Sequence, residues 1–248
     1  MIEFQGLSKQ YGNFSAVTSL TLNIARGQVF GFLGPNGAGK TTTIRMMMGI
    51  LVPSHGRVLI DGLDCHRDGP AVKRRIGYLP DNPIFYDYLR GHEILVFVAQ
   101  MHGYSRSAAV QRAQRLLSEF GLEEAAQEFA VNYSMGMKKK LGLACALIHD
   151  PQVLILDEPS NGLDPRAARE VHDRLLAYAA QGVTIFVSTH LLDMAERLCD
   201  RIGIIHQGSL VATGSLAEIR QNVADDGSLE DVFLKLTSTP LQASAERV

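Results

Sequence analysis

The sequence predicts an α/β chain, on three observations. A nearly continuous apolar run, QVFGFL (Gln28–Leu33), enters a glycine-rich turn that opens a helix at Lys40. Strand signals vanish between about 87 and 150, where helical periodicity takes over. From 151 the strand pattern returns, in VLILDE and again in VTIFVSTH. Continuous apolar runs are what strands covered on both faces look like.

Residues 1–33 are β-rich. LTLNI (Leu20–Ile24) alternates apolar and polar residues, as a half-buried strand does. After the turn a helix is expected from Lys40 to about Ile50, then a strand in RVLIDG, a basic stretch Lys73–Arg75, and IGYLPDNP. In the helical block, AAVQRAQRLLSEFGL places Val110, Ala113, Leu116, Leu117 and Phe120 at the spacing of one helix face. The returning strands frame a helix from Pro165 to about Ala180 and a second helix, and lead into RIGIIHQGSLVATG, whose QG and TG pairs read as tight turns. The domain reading is a unit over 1–222, with a helical insert at about 87–150, followed by a C-terminal helix (SLEDVFLKL) and mobile tail over 223–248.

Bulk properties narrow the class. A chain of 248 residues buries roughly 70–75% of its unfolded surface, enough for a substantial core. Its 24 basic and 26 acidic residues give a net charge of −2, so no basic excess points to nucleic acid. Three scattered cysteines, Cys65, Cys145 and Cys199, form neither a disulfide frame nor a zinc pattern and fit a reducing compartment. No signal-peptide pattern opens the chain, and no apolar run approaches the ~18 residues of a membrane span. The expectation is a soluble, cytoplasmic protein whose membrane spans, if it acts at a membrane, come from another chain.

The chemistry centres on GPNGAGKTT: Gly34, Pro35, Asn36, Gly37, Ala38, Gly39, Lys40, Thr41 and Thr42. It satisfies the phosphate-loop pattern, placed after a buried strand and before a helix. The glycines let backbone N–H groups converge on phosphate oxygens, and the helix N-terminus adds its positive end. Lys40 is expected to reach the β- and γ-phosphates of ATP, and the Thr41 hydroxyl to ligate Mg²⁺. VLILDEP ends a buried strand in Asp157 and Glu158. Asp157 is placed for the metal, and Glu158 as general base for an attacking water. His190, just past VSTH, shares their edge and is placed to contact the γ-phosphate.

Together these residues resemble the nucleotide-binding domain of ATP-binding cassette (ABC) transporter proteins over about residues 1–220. The resemblance implies a P-loop NTPase core with a mixed sheet, an N-terminal antiparallel β subdomain and a helical insert. It also implies two such domains pairing head to tail around two ATP molecules. Tyr11 falls where the family stacks an aromatic on adenine. Asp164, in SNGLD, falls in the loop that communicates across the dimer, with Gly162 as its small residue. His190 falls at the switch histidine. Asp81, in YLPD, stands where the family usually has Gln touching Mg²⁺ or the water. It is expected to reach the metal through water and to couple the ATP state to a partner.

YSMGM (Tyr133–Met137) stands at the family's signature, usually Leu-Ser-Gly-Gly-Gln, and keeps Ser134 and Gly136. These are expected to bind the γ-phosphate of the partner's ATP. On the helix that follows, Met137, Leu141, Ala144 and Ile148 are read as the apolar face and Lys139 as pointing to solvent, with Lys138 and Lys140 flanking.

The resulting expectation is an ATP-hydrolysing subunit, peripheral on the inner face of the cell membrane. It would work with separate transmembrane permease subunits and a paired cassette, either a second copy or another chain, and with no nucleic acid. SLEDVFLKL resembles the tail helix of cassettes from two-component (ABC-2 type) exporters, which favours export. The alternatives are a soluble ABC ATPase of translation or DNA repair, disfavoured by the single phosphate loop and the acidic balance, and a small-molecule P-loop kinase.

Overall fold

The structure, a computed structural model, describes residues 1–223 and 229–238. Two long strands, β1 (Ile2–Tyr11) and β2 (Phe14–Ile24), open the chain, followed by β3 (Val29–Leu33), α1 (Lys40–Met47), β4 (His55–Ile60), β5 (Leu63–Asp64), α2 (Gly69–Lys73) and β6 (Ile76–Leu79). Helices α3 (Gly91–Met101), α4 (Arg106–Glu119) and α5 (Met135–Leu147) come next, with one short 3₁₀ turn at Ala130–Asn132. The remainder is β7 (Val153–Asp157), α6 (Pro165–Ala180), β8 (Thr184–Thr189), α7 (Leu192–Leu198), β9 (Arg201–His206), β10 (Ser209–Gly214), α8 (Leu216–Val223) and α9 (Leu229–Ser238).

Among the described residues the strands form two sheets. One is antiparallel, in the order β2-β1-β4-β5. The other is mixed, in the order β10-β9-β3-β8-β7-β6, parallel except where β10 returns beside β9. The expected α/β architecture, mixed sheet and N-terminal antiparallel sheet are all present.

Side-chain alternation along the central strands builds two cores. Val153 and Ile155 of β7 and Phe186 of β8 join Phe4, Phe30 and Phe32 on the face towards the antiparallel sheet. Leu154, Leu156, Ile185 and Val187 join the helices on the other face. The period of two along a strand sends neighbours to opposite faces, and with both faces covered the sequence reads as uninterrupted apolar runs. Phe186 centres an aromatic group, with Phe32 at 5.4 Å, Phe30 at 6.1 Å and Phe4 at 6.2 Å between ring centroids.

Three readings are corrected, and the expected C-terminal helix gains a place. Helix α1 stops at Met47 rather than reaching Ile50, because Gly49 turns the chain at φ 64° with its N–H on the Met46 carbonyl. Val110 is exposed, and Ala109 takes its place on the buried face of α4. The QG pair is a tight turn, with Gln207 and Gly208 at φ 46° and 80°, but the TG pair is the end of β10 and makes no turn. The C-terminal helix packs onto the core: Leu229 and Val232 of α9 are buried with Leu33, Ala195, Ile202 and Ile219. The expected tail beyond it, 239–248, lies outside the described residues.

Close packing fixes how α5 lies on the sheet. A Cβ on Gly77 of β6 would collide with the Ala146 carbonyl oxygen of α5. Gly77→Ala is therefore expected to lower the unfolding free energy by about 1–3 kcal/mol, the usual cost of overpacking, read from urea denaturation midpoints at unchanged m-value.

Candidate functional site at the C-terminal sheet edge

Register brings the chemistry together. Leu33 pairs with Thr189, Asp157 with Ser188, and Leu79 with Leu156. Four parallel strands thus end side by side, and the segments leaving them carry Gly34, His190, Glu158 and Asp81. This is the edge where open α/β sheets bind ligands. A cleft of about 590 Å³ opens there, lined by the phosphate loop from Pro35 to Thr42, by Asp81, Asp157 and Glu158, and by Tyr11 and Phe14 from the antiparallel sheet.

The phosphate loop takes a conformation that demands glycine. Gly37 and Gly39 have φ of 80° and 109°, and Gly39 directly precedes α1. A Cβ on Gly39 would lie 2.5 Å from the Ala16 carbonyl oxygen, and one on Gly34 would strike the Ile205 carbonyl. Ala38 is buried beneath the loop, while Asn36 and Thr41 are exposed on it. Lys40 is buried; its Nζ donates to the Gly34 carbonyl at 2.6 Å and the Pro35 carbonyl at 3.3 Å, and lies 3.7 Å from Glu158 Oε1. Burial pulls the ammonium below its usual range, opposed by the charges of Glu158 and Asp157.

Glu158 is the most constrained carboxylate of the site. Oε1 accepts from His190 Nδ1 at 2.9 Å, and Oε2 from the Thr189 hydroxyl at 3.0 Å and the His190 N–H at 3.4 Å. Its backbone is left-handed, φ 48°, which costs a non-glycine residue ~1–2 kcal/mol. Asp157 accepts from the Ser188 hydroxyl at 2.7 Å. Burial raises its carboxyl above the ordinary range, Ser188 opposes this, and the nearby negative charges of Glu158 and Asp81 add to it.

Tyr11 is half-exposed at the mouth, with the Lys9 ammonium 5.2 Å from its ring centre. Phe14, directly across the hairpin from Tyr11, offers a second exposed ring that sequence reading missed. The pairing of YGNF into a two-strand turn was the available signal.

Of the predicted residues, His190 reaches the cleft only through Glu158, Gly34 and Ala38 lie beneath its lining, and Ser134, Gly136 and Asp164 stand apart from it. Ser134 and Gly136 open α5, where the Ser134 Oγ accepts from the Met137 N–H at 3.2 Å as its N-cap. Asp164 caps α6, its Oδ1 accepting from Arg166 and Ala167 N–H at 2.9 Å each.

The lysines depart most from expectation. Lys139 does not face solvent. Its side chain is 0% exposed, and its Nζ donates to the Glu158 carbonyl at 2.6 Å and lies 3.3 Å from Asp81 Oδ1. Asn161 Nδ2 donates to the same Asp81 oxygen at 3.2 Å. Lys140 pairs with Glu170 of α6 at 2.7 Å and holds that carboxyl below its usual range. The missed signal was LGLACALI: apolar on every face, it marks a helix buried all round, in which a lysine on any side needs a carboxylate.

Comparison with known proteins identifies the family. A family model described as "ABC transporter" matches residues 17–161. The "Probable multidrug ABC transporter ATP-binding protein YbhF" of Escherichia coli (strain K12) is 36% identical over 240 residues, covering 95% of this chain and 41% of that protein. The "Daunorubicin/doxorubicin resistance ATP-binding protein DrrA" of Streptomyces peucetius is 38% identical over 247 residues, covering 100% of this chain and 74% of that protein. Against the first of these the chain spans less than half the relative's length. A solved structure described as the "ATP binding subunit of ABC transporter" superposes with a TM-score of 0.88 at 34% identity, covering 95% of this chain and 99% of that one. The family match over more than half of the chain and relatives more than 30% identical along most of it lead to one conclusion: the chain belongs to the ABC transporter family, as an ATP-binding cassette.

Proposed function

We propose that the chain is the ATP-hydrolysing subunit of an ABC exporter, pairing head to tail with a second cassette and driving separate membrane subunits from the inner face of the membrane. The observation that carries this is the Glu158 carboxylate, fixed by Thr189 and His190 beside Lys40 at the base of the phosphate loop. A carboxylate so oriented serves as general base towards a water aligned on a γ-phosphate. Lys40 is within the loop's own span and takes the β- and γ-phosphates. Tyr11 and Phe14 offer flat faces for the adenine. His190 both orients Glu158 and reaches the γ-phosphate.

The residues also fit Mg²⁺. Hard oxygen donors suit it, and it keeps several waters and phosphate oxygens rather than needing an all-protein cage. Among the described residues no group of three or more His, Cys, Asp or Glu side chains could hold a metal alone. The Thr41 hydroxyl and the Asp157 carboxylate would hold it; burial chiefly raises the Asp157 carboxyl, the charges of Glu158 and Asp81 add to this, and a divalent cation would favour its ionised form. When bound, it neutralises charge on the transferring phosphoryl group. Asp81, committed to Lys139 and Asn161, reaches it through water at most.

Ser134, Gly136 and the N-terminus of α5 lie outside the chain's own cleft and supply an anion site for the partner's γ-phosphate. Asp164, on the loop after Glu158, stands at the same interface. Export is favoured by kinship with proteins named for multidrug transport and daunorubicin/doxorubicin resistance. Among the described residues no helix is long and apolar enough to cross a membrane.

The in-trans reading has a direct test. A Cβ at Gly136 meets nothing closer than Leu163 Cδ2, at 3.7 Å, so Gly136→Asp is expected to leave the monomer's fold intact, checked by thermal unfolding. It is expected to cut hydrolysis by roughly 100-fold or more through like-charge repulsion of the partner's nucleotide, while a fluorescent ATP analogue binds the monomer as before. Loss of monomer binding contradicts the in-trans assignment. Co-purification of the tagged chain with a multi-span protein tests the transporter role; association with ribosomes or DNA instead overturns it.

A further inference from the structure

The buried ammonium of Lys139 is unexplained by packing or by the roles assigned above. It lies one and a half turns into α5, the helix that begins at Ser134 and Gly136, yet it points into this chain's own site. Burying an ammonium is costly unless it is both paired and hydrogen-bonded, and an apolar residue of similar length would pack α5 without that cost. Here two of its three donors are used: one contact is to the Asp81 carboxylate after β6, the other to the Glu158 carbonyl after β7. Asn161 closes the group, donating its side-chain amide to Asp81 and its backbone N–H, at 3.1 Å, to the same Glu158 carbonyl.

The Glu158 peptide needs such a hold. Its left-handed φ of 48° is what turns the carboxylate away from the strand line and onto Thr189 and His190. The Glu158 N–H is fixed on the Ser188 carbonyl at 2.9 Å. The carbonyl on the other side of the residue is fixed by Lys139. Asp81, an anion where a neutral amide would leave a buried lysine unpaired, supplies the countercharge.

We propose that Lys139 is a positioning residue for hydrolysis: with Asp81 it clamps the strained Glu158 backbone, so the helix that offers Ser134 and Gly136 to a partner's nucleotide also sets this chain's own carboxylate. This rests on Glu158 being the general base.

The test compares Lys139→Met and the double variant Asp81→Gln/Lys139→Gln with the unaltered chain. A small displacement of a reacting group costs on the order of 100-fold, so Lys139→Met is expected to lower kcat by roughly that factor. The KM for ATP stays within about threefold, because phosphate contacts are untouched. Two facing amides can rebuild the hydrogen bonds without charge, so the double variant is expected to recover at least about tenfold of the lost kcat, a non-additivity that residues in contact show. In the nucleotide-free protein, amide exchange at Glu158 and Asn161 is expected to speed up in Lys139→Met while the α5 interior stays protected. Unaltered kcat in Lys139→Met, unaltered exchange at those two amides, or a double variant no better than the single overturns the proposal. Glu158→Gln, assayed alongside, separates the two readings: full hydrolysis there removes the base assignment, and the exchange measurement then decides by itself whether Lys139 holds the peptide.

Discussion

Replacing Glu158 by Gln is expected to lower the rate of ATP hydrolysis by about 10²–10⁴-fold, the usual worth of a positioned general base, while ATP binding persists. The amide keeps the volume and one acceptor oxygen. It can still take the Thr189 hydroxyl or the His190 ring nitrogen, so the fold and the nucleotide cleft survive. What it loses is the anion that accepts a proton from water. A cassette that binds ATP but cannot hydrolyse it is expected to accumulate as an ATP-bound dimer, visible by size-exclusion chromatography or light scattering with ATP and absent with ADP. Normal turnover in this variant removes Glu158 from the base role, and a monomer at saturating ATP removes the pairing.

Lys40→Met is expected to act earlier, on binding. Truncating one member of a buried charge contact costs roughly 2–5 kcal/mol, so the dissociation constant for ATP is expected to rise by roughly 30- to 4,000-fold. Lys40 is already desolvated, lying on the loop's carbonyls and near Glu158. The dehydration of the cation is therefore met in folding rather than at binding, which preorganises it for a triphosphate. Methionine keeps the length and the packing, so thermal unfolding of the nucleotide-free chain separates loss of binding from loss of fold. Isothermal titration with ATP reads the effect; near-normal affinity contradicts the assignment of Lys40 to the phosphates.

Between them these residues show what could be read from linear sequence. The phosphate loop was legible because its constraints are local: the strand before it, the glycines within it and the helix after it lie inside about twenty residues. Asp157–Glu158 and His190 were legible because each ends an apolar run, and parallel strands put such ends on one edge. The C-terminal helix was legible as a helix, but its place on the core was not, since a short amphipathic segment does not declare what it packs on. Val110 and the TG pair failed through the same narrowness, a one-residue shift of face and a dipeptide without its φ angles.

The lysines mark the boundary most clearly. On a helical wheel Lys139 lay opposite the apolar stripe and was assigned to water. In the fold, α5 is enclosed by β6, α3 and α4, and the side opposite the stripe faces the ends of β6 and β7. Asp81 is 58 residues away in sequence and Glu158 is 19. No local pattern relates them. From its residues alone the chain is legible as a nucleotide-binding α/β protein with its phosphate loop, its acidic strand end and its histidine, because backbone geometry and strand polarity act over short distances. Which charges meet was settled by tertiary structure, because burial decides whether an ammonium is hydrated or must find a carboxylate, and burial is a property of the whole fold.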